Sequence, residues 1–108
     1  LHPEYAYSTY AFRQPVIEQS PQAIRSFLAA IDQAIEMINA DPTAWDALLT
    51  EQGLVPAPLI GSYAIPAFPP AGVPTEAQWS DALAWALEHG LITSDVSYAD
   101  SVTGKYLP

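Results

Sequence analysis

The sequence predicts a single, mainly α-helical domain of three to four helices with a short β element at its N-terminus. In three stretches, apolar residues recur every three or four positions between capping signals. Aromatic and β-branched residues gather within the first 17 positions, as in strands. Half of the 108 residues are apolar, which is enough for one small hydrophobic core.

The charge of the chain excludes several classes of partner. Its net charge is −9, with three Lys and Arg residues against twelve Asp and Glu. A protein that binds a phosphate backbone or an anionic membrane surface needs clustered Lys and Arg residues. We therefore expect no nucleic-acid or anionic-lipid partner. The absence of cysteine excludes disulfides, thiolate metal sites and thiol nucleophiles.

The N-terminal 19 residues favour a strand and then a loop. Tyr5, Tyr7, Tyr10 and Phe12 predict a strand within about residues 5–13. Pro15 restricts the following residues to an edge strand or a loop that leads into a helix. A lone strand cannot satisfy its own backbone hydrogen bonds, so we expect a second strand from outside this chain or from a second copy of it.

Residues 20–40 predict the helix around which the chain is organised. Ser20 is a candidate N-cap, and Pro21 occupies a first-turn position where proline costs no hydrogen bond. The predicted apolar face comprises Ile24, Phe27, Leu28, Ile31, Ile35 and Ile38. Asp32 and Glu36 lie four residues apart on the opposite side and are interpreted as a solvated face, because two carboxylates without a third ligand rarely hold a metal.

A second helix is predicted from Pro42 to about Gln52. The Asp41-Pro42 pair repeats the pattern of a cap followed by a proline, and Gly53 suits a left-handed helix end. Trp45 and the two leucines after it would share one face. Since the link to the preceding helix is very short, residues 20–53 are expected to form an angled helical pair.

Residues 54–74 contain six of the eleven prolines, which exclude a helix interior or a central strand. Large apolar residues also lie here, among them Leu59, Ile60, Tyr63, Ile65 and Phe68. We therefore predict a semi-rigid extended segment that lies over the helices rather than a free linker.

Residues 75–108 predict a third helix and a tail. Thr75 and Gln78 match a capping box, and the helix is expected to run to about His89 with Gly90 as its stop. Trp79 falls on the apolar face and Trp85 outside it. Leu91 and Ile92 are predicted to return to the core, and Ser97 to cap a last short turn through Tyr98 and Val102.

No residues form a recognisable catalytic group. The glycines and serines match neither a nucleophile elbow nor a phosphate-binding loop. His89 falls where a helix ends, so helix-end stabilisation is favoured over catalysis. Hence no enzyme activity, catalytic residue, cofactor or metal is expected. Trp85 is the candidate interaction surface, because an outward tryptophan often marks a surface that a partner covers.

An ordered set of motifs from about Tyr10 to the C-terminus resembles a known family. The set begins with Pro21-Gln-Ala-Ile24-Arg-Ser-Phe27-Leu28-Ala-Ala30 and continues through Ala34-Ile35-Glu-Met-Ile38-Asn39-Ala40-Asp41-Pro42. It ends with Gly90-Leu91-Ile92, Tyr98-Ala-Asp-Ser-Val102 and Tyr106-Leu107-Pro108. In order and spacing these motifs resemble the C-terminal part of periplasmic substrate-binding proteins of ABC importers, in the branch for nitrate, sulfonate, taurine and thiamine precursors.

The resemblance implies the C-terminal part of a type II periplasmic-binding-protein-like α/β fold with two lobes. It implies delivery of a small-molecule solute to an ABC permease in the full-length protein, at a periplasmic or extracytoplasmic location, with a lipid anchor on a missing N-terminal part as a further expectation. Residues 1–108 would then be one domain cut from a longer chain. Tyr5, Tyr7 and Tyr10 are the candidate ligand-binding residues, with strand packing as the alternative role.

Two further hypotheses stay open at this point. The chain could be a stand-alone helical module that binds a protein partner through an apolar groove or the Trp85 face. The isolated chain is also expected to self-associate, because its apolar surface exceeds what three helices need for their own packing.

Overall fold

Helices are the only regular structure in the computed structural model, which describes residues 9–108. The α-helices are α1 (Gln14–Gln19), α2 (Pro21–Ala40), α3 (Asp46–Glu51), α4 (Glu76–Glu88) and α5 (Tyr98–Ser101). Two 3-10 helices, Pro42–Trp45 and Ala57–Leu59, lie between them. Within residues 9–108, no helix has both the length and the apolar character that a membrane crossing requires.

The predicted N-terminal β element and the α/β fold are wrong for the part of the chain that the structure describes. Residues 9–13 have no regular structure, and residues 14–19 form α1. Pro15 lies in the first turn of α1, where its fixed φ suits a helix start. A strand also needs a neighbouring strand for its backbone hydrogen bonds, and residues 9–108 contain none. Residues 5–8 of the predicted strand lie outside the described residues.

The long predicted helix is present as α2, but its start differs from the expectation. The Ser20 side chain makes no capping hydrogen bond. Ser20 instead connects two helices. Its backbone N–H donates to the carbonyl of Val16 in α1, and its own carbonyl accepts from the N–H groups of Ala23 and Ile24 in α2. The backbone of Ser20 is thus part of a tight α1–α2 corner, where its hydroxyl is not needed for capping.

The Asp41 carboxylate organises the corner after α2. Its Oδ1 accepts hydrogen bonds from the backbone N–H groups of Thr43 and Ala44, at 3.2 and 3.3 Å, and from the Thr43 hydroxyl at 2.7 Å. The residues that follow form a 3-10 helix and then α3, in place of one continuous helix. Gly53, with φ of 63°, ends this unit in the left-handed conformation that glycine adopts without strain.

The proline-rich segment is held against the end of α2 by one side chain. The amide of Asn39 donates to the Phe68 carbonyl and accepts from the Phe68 N–H, both at 2.9 Å. The Asn39 side chain therefore satisfies both the N–H and the carbonyl of Phe68, in a segment that forms no β-sheet hydrogen bonds.

The C-terminal third is organised around α4. Thr75 and Gln78 form the complete capping box, with hydrogen bonds of 3.2 and 2.8 Å. The indole of Trp79 donates to the carbonyl of Val96 at 3.1 Å, and the hydroxyl of Tyr98 donates to the carbonyl of Pro74 at 2.8 Å. The first hydrogen bond ties α4 to the segment that precedes α5, and the second ties α5 to the segment that precedes α4.

Little of the described chain is buried. Ile24, at 2% exposed, and Val55, at 8%, are its buried hydrophobic residues. The rest of the predicted α2 stripe is half-buried, except Phe27, which is 42% exposed. Leu91 was expected to return to the core but is 65% exposed, because the Gly90 turn ties its N–H back to the carbonyl of Ala86.

The dimensions of the chain agree with this sparse burial. Its accessible surface is 8482 Å², whereas a compact protein of 11.7 kDa exposes about 5,900 Å². Its radius of gyration is 17.2 Å, against about 13 Å for a compact domain of this length. The helices thus form an open arrangement with one face of α2 incompletely covered.

Candidate functional site

Many large apolar side chains lie on the surface of residues 9–108. Besides Tyr10, Phe27, Trp85 and Leu91, they include Val16, Met37, Leu48, Leu54, Leu59, Ile60, Tyr63, Phe68, Val73, Leu87 and Val96. Apolar atoms are common on any protein surface, but so many large side chains in one small chain are typical of a surface that another body covers.

Tyr10 is the one predicted ligand-binding residue that lies within the described residues. It is 59% exposed, and its ring meets the Phe27 ring edge to face at 5.2 Å. Phe12 packs edge to face on the same ring at 5.9 Å. Tyr10 is thus part of an open aromatic cluster on α2. Tyr5 and Tyr7 lie outside the described residues, so the predicted tyrosine group stays a prediction.

Trp85 lies on the outer side of α4, as its spacing predicts. It is 55% exposed and stacks on the imidazole of His89, with ring centroids 4.3 Å apart and an angle of 25° between the planes. The Nδ1 atom of His89 lies 2.8 Å from the Trp85 carbonyl, which suits an N–H donor at the end of the helix. The pair forms a flat aromatic surface in solvent, and its role as an interaction surface stays a prediction.

An apolar groove separates α3 from the start of the proline-rich segment. Its volume is about 410 Å³, and Leu49, Val55, Ile60 and Tyr63 form much of its lining. Asp46, Thr50 and Glu51 contribute its polar rim. This is the groove that a stand-alone interaction module would offer to a partner, although its broad opening provides little enclosure for a small molecule.

A second, smaller pocket lies between α2 and the C-terminal tail. It has a volume of about 240 Å³ and is lined by Gln22, Arg25 and Ser26 from α2 and by Tyr106, Leu107 and Pro108 from the tail. The Arg25 guanidinium lies 5.2 Å from the Tyr106 ring centroid, and the Lys105 ammonium lies 5.6 Å from it. We name this feature the basic pocket.

Trp45 carries an unsatisfied polar atom beside the α2–α3 corner. Its indole Nε1 is buried and has no hydrogen-bond partner among residues 9–108. A buried donor without an acceptor costs free energy, and natural proteins contain few of them. This corner therefore contains a buried donor whose hydrogen bond is not made within the described residues.

No constellation for acid–base, nucleophilic or metal chemistry appears within residues 9–108. No group of three or more His, Cys, Asp or Glu side chains there could hold a metal ion. His89 is occupied by the Trp85 contacts, and His2 lies outside the described residues.

Two functional features were not predicted from the sequence. The role of Asn39 depends on Phe68, 29 residues away, and no local pattern signals such a contact. Arg25 of the basic pocket and Lys105 both lie near the Tyr106 ring although they are 80 positions apart, and no local pattern signals this either. Comparison of the chain with protein-family models, curated proteins and solved structures finds no match in any of the three.

Proposed function

We propose that this chain is a non-catalytic part of an extracytoplasmic solute-binding protein that delivers a small molecule to an ABC importer. In this proposal the helices pack against the remainder of that protein. The binding of the solute and the contact with the permease belong to the assembled protein rather than to residues 1–108 alone.

The observation that carries the proposal is the uncovered apolar surface. Only Ile24 and Val55 are buried hydrophobic residues in residues 9–108, and the chain exposes about 2,600 Å² more than a compact protein of its mass. That excess, which includes polar as well as apolar area, is of the order of what one partner contributes to a large obligate interface. Exposed apolar surface of this extent is typical of a site that binds another protein body.

The nature of the covering body is inferred from the order of motifs along the chain. The proline-initiated helix at Pro21, the Asn39-Ala40-Asp41-Pro42 corner and the ending after Gly90 follow one another as in the C-terminal part of these binding proteins. Helix α2 and the Asp41 corner are present at these positions. The resemblance supports the assignment to a transport protein.

A stand-alone helical interaction module is the second candidate. The absence of any strand from residues 9–108 favours it, because a part of an α/β lobe would be expected to contribute a strand. In this case the apolar groove beside α3, or the Trp85–His89 surface, binds a protein partner directly.

The size and location of the native polypeptide distinguish the two candidates. An antibody raised against residues 9–108 is used on immunoblots of fractionated cells of the source organism. The transport proposal predicts one extracytoplasmic band that contains about 200 additional residues. A band at 11.7 kDa in the cytoplasmic fraction would contradict it and support the module.

The solute is tested on the polypeptide that the immunoblot identifies. Thermal unfolding of that protein is followed with nitrate, with a panel of sulfonates and with pyrimidine precursors of thiamine. A ligand that binds only the folded state raises the midpoint of unfolding. An unchanged midpoint with every compound would remove this group of solutes from the proposal.

A further inference from the structure

We propose that residues 65–70, Ile65-Pro-Ala-Phe-Pro-Pro70, are a docking segment for a protein domain with an aromatic-lined groove that binds polyproline II helices. We name these six residues the proline run. The inference goes beyond the proposed function and applies to either candidate, because it concerns a further partner that binds the proline-rich segment from outside.

The prolines restrict the backbone of the run to one kind of conformation. A proline holds its own φ at about −65°, and the residue before a proline is confined to extended conformations. Within the run, every residue except Ala67 is a proline or precedes one. Residues 63–70 form no helix or turn, and the next bend lies at Ala71. These restrictions favour a polyproline II helix of about three residues per turn, in which Pro66 and Pro69 share one face.

The run is accessible along most of its length. Residues 66–70 are all exposed, and the side chain of Phe68 is 41% exposed. Within residues 9–108, no donor forms a hydrogen bond with the carbonyls of Pro66, Ala67 or Pro69. These carbonyls are therefore free to accept from an indole N–H or a phenol O–H, the donors that Trp and Tyr residues bring to an apolar groove.

Two side chains hold the proline-rich segment in position before a partner arrives. Asn39 exchanges two hydrogen bonds of 2.9 Å with Phe68, in the middle of the run. The hydroxyl of Tyr98 donates to the carbonyl of Pro74 at 2.8 Å, four residues beyond the run. A ligand segment that is already fixed in an extended form loses less conformational entropy when it binds.

The charge pattern specifies the chemistry of the partner further. Residues 52–75 contain no charged side chain, although the whole chain has a net charge of −9. An uncharged, proline-rich segment fits an apolar groove, where aromatic side chains pack against the proline rings. Because the rest of the chain is acidic, a neutral or basic rim around that groove avoids repulsion between the two proteins.

The test is an NMR titration of the isotope-labelled 108-residue chain with three purified domains that bind proline-rich peptides through aromatic grooves. The probes are an SH3 domain, a WW domain and an EVH1 domain. Amide signals of Ala67 and Phe68 report on the run, and aromatic signals of each probe domain report on its groove. We expect saturable shifts of both sets of signals with at least one domain, and their reversal by an excess of that domain's own proline-rich peptide.

Three variants locate the binding site. The double variant Pro66→Ala, Pro69→Ala should weaken binding about tenfold, because two apolar rings no longer contact the groove. Pro56→Ala is the matched control, since it removes a proline of the same segment outside the run, and should leave binding unchanged. Asn39→Ala keeps every residue of the run but releases Phe68, and should weaken binding about two- to three-fold. Circular dichroism verifies that each variant keeps its helices.

Each contrary result overturns the inference in a recognisable way. No saturable shift with any of the three domains at millimolar concentration would mean that the prolines only stiffen this segment. Binding that the double variant leaves unchanged, or that Pro56→Ala weakens equally, would mean that the run is not the docking segment. Unchanged binding of Asn39→Ala would contradict the part assigned to the tether. The titration uses these purified probes alone, so its failure leaves the immunoblot test of the proposed function unaffected.

Discussion

Asn39 and Phe68 exchange two hydrogen bonds of 2.9 Å across 29 positions of the chain, and this exchange ties the proline-rich segment to the end of α2. A primary amide presents one donor and one acceptor at the spacing of a peptide group, so it pairs with Phe68 much as a neighbouring strand would. A segment with six prolines has few backbone N–H groups that could form the hydrogen bonds of a β-sheet. The side chain of Asn39 supplies two hydrogen bonds in their place.

Substitution of Asn39 tests this tether. Asn39→Ala should lower the free energy of unfolding by about 1–2 kcal/mol, because two hydrogen bonds are lost. It should also remove the protection of the Phe68 amide against hydrogen exchange. Chemical denaturation and exchange measured by NMR check both effects. Asn39→Asp keeps an acceptor for the Phe68 N–H and should preserve part of that protection, whereas full protection in Asn39→Ala would contradict the tether.

The capping box at the start of α4 gives a second prediction. Thr75→Ala removes the acceptor for the Gln78 N–H and should destabilise α4 by about 1 kcal/mol. Thr75→Ser keeps a hydroxyl in the same place and should leave the stability almost unchanged, because serine caps helices at least as well as threonine. Thermal unfolding followed by circular dichroism compares the two variants. Equal midpoints for them would mean that the cap does not contribute to stability.

Local signals account for what the sequence predicted correctly about the helices. The capping box of Thr75 and Gln78, the Asp41 cap and the left-handed Gly53 each act within four residues, so the sequence itself contains all the participants. The outward position of Trp85 follows from helical spacing in the same way.

Non-local requirements explain what could not be predicted. The predicted strand is absent from residues 9–13, because aromatic composition favours an extended backbone but supplies no partner strand, and a helix begins next to Pro15. Leu91 is apolar, yet the hydrogen bond from its N–H to Ala86 leaves it in solvent. Likewise, the Arg25–Tyr106 contact depends on how the tail folds back over α2.

The small core makes one side chain disproportionately important. Ile24 is 2% exposed and is the most deeply buried large residue in residues 9–108. Ile24→Ala should cost about 2–4 kcal/mol, and Ile24→Val about 1 kcal/mol. Because so little else is buried, we expect the alanine variant to lose cooperative unfolding, as measured by helical ellipticity against urea. Retention of a sharp transition in Ile24→Ala would indicate a larger core than the structure contains.

The uncovered surface predicts how the isolated chain behaves in solution. With so many large apolar side chains exposed, the chain should bind a hydrophobic dye and should sediment as a mixture of monomer and larger species. The fraction of larger species should rise with concentration, since association buries apolar area. High salt should increase it further by screening the repulsion between chains of charge −9.

Substitution of Trp85 tests whether the surface around it mediates the self-association. Trp85→Gln removes the largest exposed aromatic side chain of α4, so it should reduce both dye binding and association while it lowers stability by less than about 1 kcal/mol. Gln33→Ala, on the exposed side of α2, is the matched control and should change neither. A strict monomer without dye binding at high concentration would mean that the chain covers its own apolar surface. The proposal that another protein body covers this surface would then be wrong.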